Sequence, residues 1–107
     1  MTKKRDFIVY LKDMLESSSK GISFIQNLTY NEFSKDEKTQ FALIKAIEIV
    51  GEASTKIPEN IKNKFQEIPW REVSGMRNKL VHDYFGINLK VVWNTAKEDL
   101  PQLKSIL

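Results

Sequence analysis

The sequence predicts an all-α protein: an up-and-down bundle of four main helices with short extra ones. Three observations carry that prediction. Apolar residues recur at three- and four-residue steps along most of the chain. No segment competes with a strand-like pattern. Ser, Asn, Pro and Gly mark helix starts and stops at close spacing, so connections are short and neighbouring helices antiparallel.

Taken in order, residues 6–28 read as one long amphipathic helix, with Phe7, Leu11, Met14, Leu15, Ile22, Ile25 and Leu28 on its inner side. The Ser17-Ser18-Ser19 run and Gly21 weaken its middle and invite a bend. Ser34-Lys35-Asp36-Glu37 fits a capping box, Ser34 capping and Glu37 reaching back. The helix it starts runs to about Lys56. Apolar residues fall on more than one of its sides, as expected of an element buried nearly all round. Gly51 inside it points to close approach of a neighbouring helix. Pro58 ends that helix and starts a short one over 59–65. Pro69 likewise starts a third main helix, Trp70 to Tyr84, which Gly86 stops. Asn88 caps a fourth, with Leu89, Val92, Trp93, Ala96 and Leu100 along one side, and Pro101 kinks or restarts it.

Composition sets the broad class. The chain has 107 residues, 41% hydrophobic and 29% charged, which suits one packed domain over 1–107 and excludes a disordered chain. With no cysteine, disulfides and thiolate metal sites are excluded, and a reducing cytoplasm is the expected compartment. Lys12, Asp13 and Glu16 interrupt what would be the apolar part of a signal peptide. The net charge of +3 permits a polyanionic partner without demanding one, because the lysines are spread along the chain.

The chemistry concentrates at Arg77-Asn78-Lys79-Leu80-Val81-His82-Asp83-Tyr84, which holds the one histidine. Alone, a histidine near a helix end reads as structural. Its ionisable neighbours shift the reading towards a site. A guanidinium holds phosphate oxygens in a fork and keeps its charge, and an imidazole moves a proton near neutral pH. Together they suit attack of a ribose 2′-hydroxyl on the adjacent phosphate, which is RNA cleavage without a metal or cofactor. Geometry adds a condition. At ~100° per residue, positions 77 and 82 lie about 140° apart around a regular helix. A site using both needs either a helix break near His82 or a second chain that pools its copy.

Other candidates weigh less. Glu48 and Glu52 share a helix face, but a di-metal bundle centre would want Glu-x-x-His pairs, which are absent. Glu48 lies among apolar residues and needs a partner if buried, for which Arg77 is the candidate. Trp70 and Trp93 read as core or subunit anchors. Tyr84 and Phe85 have rings that suit base stacking but also suit a helix end.

The spacing Arg77, His82, Tyr84 resembles the signature of HEPN-domain ribonucleases. The longer run Ile68-Pro69-Trp70-Arg71-Glu72-Val73-Ser74-Gly75-Met76-Arg77-Asn78-Lys79-Leu80-Val81-His82-Asp83-Tyr84-Phe85-Gly86 is similar to the HepT-like toxins. Ile49-Val50-Gly51-Glu52-Ala53-Ser54, Val92-Trp93 and Asp99-Leu100-Pro101 extend the likeness over the chain from about residue 40. The resemblance implies a HEPN-like bundle that dimerises, with two motifs meeting in one cleft. It implies an endoribonuclease toxin of a toxin–antitoxin pair. Arg77 and His82 would be catalytic, Asn78 and Lys79 would support them on RNA, and no metal would be involved. The implied antitoxin is a MntA-like nucleotidyltransferase that attaches AMP to Tyr84. The rival reading is a helical module that binds a nucleotide or a transferase without cutting RNA.

Overall fold

The computed structural model describes residues 6–82 and 88–107, with positions 77–82 described by their backbone alone. Among the described residues every regular element is a helix. None of these helices is long and apolar enough to cross a membrane.

Helix α1 spans Phe7–Ile25, capped by Asp6, whose carboxylate accepts the Ile8 N–H at 3.1 Å. It runs unbroken through the serine run and Gly21. Ser17, Ser18 and Gly21 are buried there, so small side chains serve close packing in place of the expected bend. A Cβ at Gly21 would stand 2.8 Å from Leu100 Cδ1 and 3.3 Å from Leu43 Cδ1. The bare backbone lets two other helices close onto α1.

The short α2, Tyr30–Ser34, has no counterpart in the sequence reading. A reciprocal capping box starts it: Glu32 N–H donates to Thr29 Oγ1 at 3.1 Å, and Thr29 N–H donates to Glu32 Oε1 at 2.9 Å. The box expected at Ser34 and Glu37 does not form. Ser34 is the last residue of α2, and its hydroxyl donates to the Asn31 carbonyl at 2.7 Å. Asp36 caps the next helix instead, accepting from Thr39 N–H at 3.1 Å and Thr39 Oγ1–H at 2.6 Å. That helix, α3, is Glu37–Ser54 and buries Leu43, Ile44, Ala46, Ile47, Val50, Gly51, Ala53 and Ser54.

After Pro58 comes α4, Glu59–Lys62, shorter than expected, and after Pro69 comes α5, Trp70–His82. Asn88 caps α6, Leu89–Asn94, with Oδ1 accepting the Lys90 N–H at 3.0 Å and the Val91 N–H at 3.4 Å. A π-helical turn over Thr95–Asp99 joins α6 to α7, Leu100–Ile106. Pro101 explains that turn. A proline ring cannot donate and collides with the carbonyl four residues back. Widening the turn puts the Leu100 N–H on the Thr95 carbonyl, five residues back, and the helix continues.

The helices share one core in which Met14, Phe33, Leu43, Val50 and Leu100 are fully buried. Tyr30, Phe33 and Trp93 form an aromatic cluster, with Phe33 and Trp93 centroids 5.3 Å apart and Tyr30 edge-on to Trp93 at 5.7 Å. Trp93 is therefore a core residue. Lys90 lies over the Tyr30 ring at 4.2 Å and covers the cluster from outside.

The α3 cap carries a pH signature. Its two hydrogen bonds, from the Thr39 hydroxyl first and the Thr39 N–H second, hold the Asp36 carboxyl below its ordinary value of 3.8. A carboxylate with a lowered folded pKa stabilises the fold above its ordinary pKa and loses that effect as pH falls through the lowered value. Asp36→Ala is expected to lower the thermal midpoint by a few degrees at pH 7. Circular-dichroism melts should show that gap narrowing towards pH 3; a constant gap would contradict the assignment.

Candidate active site

Helix α5 carries most of the motif, and three contacts fix its first half. The Pro69 carbonyl accepts the Val73 N–H at 2.9 Å, which starts the helix at the proline. The Trp70 indole N–H donates to the carbonyls of Lys62 at 3.2 Å and Phe65 at 3.1 Å. Trp70 thereby ties the end of α4 to the start of α5, an anchoring role within the chain.

The third contact joins α5 to α3. Ser54 Oγ lies 2.7 Å from the Gly51 carbonyl and 2.7 Å from Ser74 Oγ. A hydroxyl has one proton. With Ser54 donating to Gly51, Ser74 must donate to Ser54. Ser54 is fully buried, so this pair sits in the seam between the helices. Val73, next to Ser74 in the sequence, is buried in the core.

These contacts orient the motif by register. Position 77 is three residues beyond Ser74 and four beyond Val73, on the arc of α5 that faces α3. Positions 78 and 82 fall on the flank that carries Arg71 and Ser74. Helix α5 continues through His82, so the helix does not break between the two key positions. Positions 77 and 82 therefore stay about 140° apart on a regular turn of ~3.6 residues. Of the two ways of joining them, a break before His82 is removed. Asp83 to Ile87, with Tyr84, Phe85 and the Gly86 stop, lie outside the described residues, as do the side chains of Arg77, Asn78, Lys79 and His82.

The acidic candidates stand on α3. Glu48 is half-buried and Glu52 is exposed. The pairing of Glu48 with Arg77 involves a side chain outside the described ones. Among the described residues no three His, Asp or Glu side chains gather as a metal-holding group.

Two grooves border α5 that sequence reasoning missed. One, of about 280 Å³, has Ile47, Val73, Met76 and Leu103 in its lining, with Glu72 and Asp99 among its polar residues. The other, of about 410 Å³, lies between α4 and α5 and is lined mainly by polar side chains, among them Lys62, Asn63, Arg71 and Ser74. The available signal for the second was spacing. Arg71 precedes Asn78 by seven residues and His82 by eleven, which is two and three turns along one side of a helix.

Comparison with known proteins identifies the family. Residues 14–107 match the ribonuclease HepT-like family. A Thermococcus cleftensis protein named "Probable ribonuclease HepT" is 48% identical over 101 residues, covering 94% of this chain and 92% of its own. A Methanocaldococcus jannaschii protein that carries a provisional RNase name is 44% identical over 101 residues, covering 94% and 93%. A third, from Caldanaerobacter subterraneus subsp. tengcongensis and also provisionally named an RNase, is 34% identical over 95 residues, covering 89% and 85%. No solved structure matches. This chain, whose described elements are all helices and which is matched over residues 14–107, belongs to the ribonuclease HepT-like family.

Proposed function

We propose that this member of the ribonuclease HepT-like family, an endoribonuclease, cleaves RNA without a metal, through Arg77 and His82 contributed by two copies of the chain. The observation that carries the reading is the continuity of α5 through His82, which keeps the two positions on different sides of one helix. Two chains related by a two-fold axis resolve the conflict, because each supplies what the other cannot turn inward.

In that cleft Arg77 holds the scissile phosphate in its guanidinium fork and offsets the charge that builds on the phosphoryl oxygens. One imidazole accepts the proton of the attacking 2′-hydroxyl, and the second chain's imidazole returns a proton to the departing 5′-oxygen. The products are a 2′,3′-cyclic phosphate and a free 5′-hydroxyl. Asn78 and Lys79 support the phosphate on either side. His82→Ala is expected to keep the helical content and the oligomeric state while losing cleavage of a mixed tRNA and mRNA pool by at least ~100-fold. Undiminished cleavage by the purified variant would refute the assignment.

The resemblance also supports a biological setting: a toxin held in check by a MntA-like nucleotidyltransferase antitoxin that adenylylates Tyr84. The modification would put bulk and negative charge at a phosphate-binding cleft, which opposes RNA binding. Co-expression with such a transferase should add one AMP to the intact mass, and Tyr84→Phe should remove the addition. A mass increase that survives Tyr84→Phe would exclude this residue as the acceptor.

A further inference from the structure

The groove between α4 and α5 has features that the cleavage chemistry does not use. Among its described lining residues the cations are Lys62 and Arg71, the carboxylate is Glu59, and Asn63 and Gln66 add amides. Arg71 is exposed. The Lys62 side chain is only 18% exposed; its Nζ stands 3.8 Å from Glu59 and 5.7 Å from the centre of the Trp70 ring. The volume, about 410 Å³, is within the ~300–1,000 Å³ typical of ligand sites.

Gly75 is the second, independent observation. It is a helix-interior residue on the same side of α5, four residues after Arg71 and three before Asn78. A glycine there weakens the helix unless bare backbone is needed. Among the described residues no neighbour needs it, since a Cβ at Gly75 would meet none of them within 4 Å. The contrast with Gly21 is direct: there a Cβ would strike Leu100. Bare backbone facing open space suits close approach by something from outside.

We propose that the α4–α5 groove is an accessory subsite for the RNA backbone, continuous with the cleavage motif along α5. Arg71 holds a phosphate several nucleotides from the scissile one, Lys62 adds charge, and the strand crosses the helix at Gly75. Arg71, Ser74, Gly75, Asn78 and position 82 form one stripe, about 16 Å from end to end at ~1.5 Å per residue. The occupant follows from the lining. Guanidinium, ammonium and amide groups meet a phosphodiester and its bases, whereas the centre of a subunit interface is apolar and poor in charge. Glu72 lines the other groove, with Asp99, which leaves Glu59 as the carboxylate among the described residues lining the α4–α5 groove.

The inference deepens the ribonuclease reading and rests on it for its ligand, but binding tests it separately. The probe is a 2′-O-methyl single strand of about 12 nucleotides, which cannot be cut and is long enough to run the stripe. For the intact protein, Arg71→Ala is expected to weaken binding roughly fivefold and to reduce the slope of log affinity against log salt by about 1. Cleavage of a dinucleotide should stay within about twofold, because only the scissile phosphate is contacted. Gly75→Ala is expected to raise the thermal midpoint yet weaken binding of the long strand. Unchanged affinity and salt slope in Arg71→Ala overturn the subsite. So does a Gly75→Ala protein whose oligomeric state changes while RNA binding does not, which would make the bare face a subunit contact. Failure of the wild-type protein to cut any RNA, with Arg71-dependent binding intact, would instead defeat the cleavage reading and leave the subsite standing.

Discussion

The period of one α-helix decides how this motif can work. His82 lies five positions after Arg77, and a helix of ~3.6 residues per turn sends them to different sides. Had the spacing been four or seven, one chain would present both to one phosphate. With α5 helical through His82, the arginine position turns towards α3 and the histidine position towards the α4 flank. On the proposed reading the motif is half a site, and two-fold symmetry is the simplest means of completing it.

Much of the remaining structure serves to hold α5 in that rotation. The Ser54–Ser74 hydrogen bond sets its register on α3, and a rotation of α5 would leave a fully buried hydroxyl with one partner fewer. Trp70 fixes the start of the helix by donating its indole N–H to the carbonyls of Lys62, at the end of α4, and Phe65, just beyond it. Behind α3, Gly21 allows α1 to come near enough for Leu43 and Leu100 to seal the core. A buried polar pair next to an apolar seam gives α5 a defined rotation as well as a defined depth.

The fold was largely legible because its signals are local. Pro58, Pro69 and Asn88 act through their own backbone and side-chain geometry, and each begins a helix as read. The misreadings come from rules that depend on context. Ser34 and Asp36 are both good caps, and α2 decides between them by claiming Ser34 for its own last turn. At five residues α2 is too short to show a period, and only Thr29 and Glu32 announce it. Gly21 read as weakness because the helices that close on it are distant in sequence. At the site, the motif was visible as a cluster of ionisable residues. Arg71 was not, since a single arginine on a half-exposed helix reads as a solvated charge until α4 is seen beside it. Gly75 carries no signal in the sequence because the open space beside it, among the described residues, is a fact of three dimensions.

The proposed sharing of Arg77 and His82 between two chains is tested most directly by a mixed dimer. One chain is wild-type, and its tagged partner carries both Arg77→Ala and His82→Ala. The two are co-expressed, purified by sequential tags and assayed on RNA. If cleavage needs groups from both chains, the mixed dimer will show only a few per cent of the wild-type rate, far below half. A mixed dimer with half the wild-type activity would show that each chain carries a complete site, and would contradict the sharing of Arg77 and His82 across the interface.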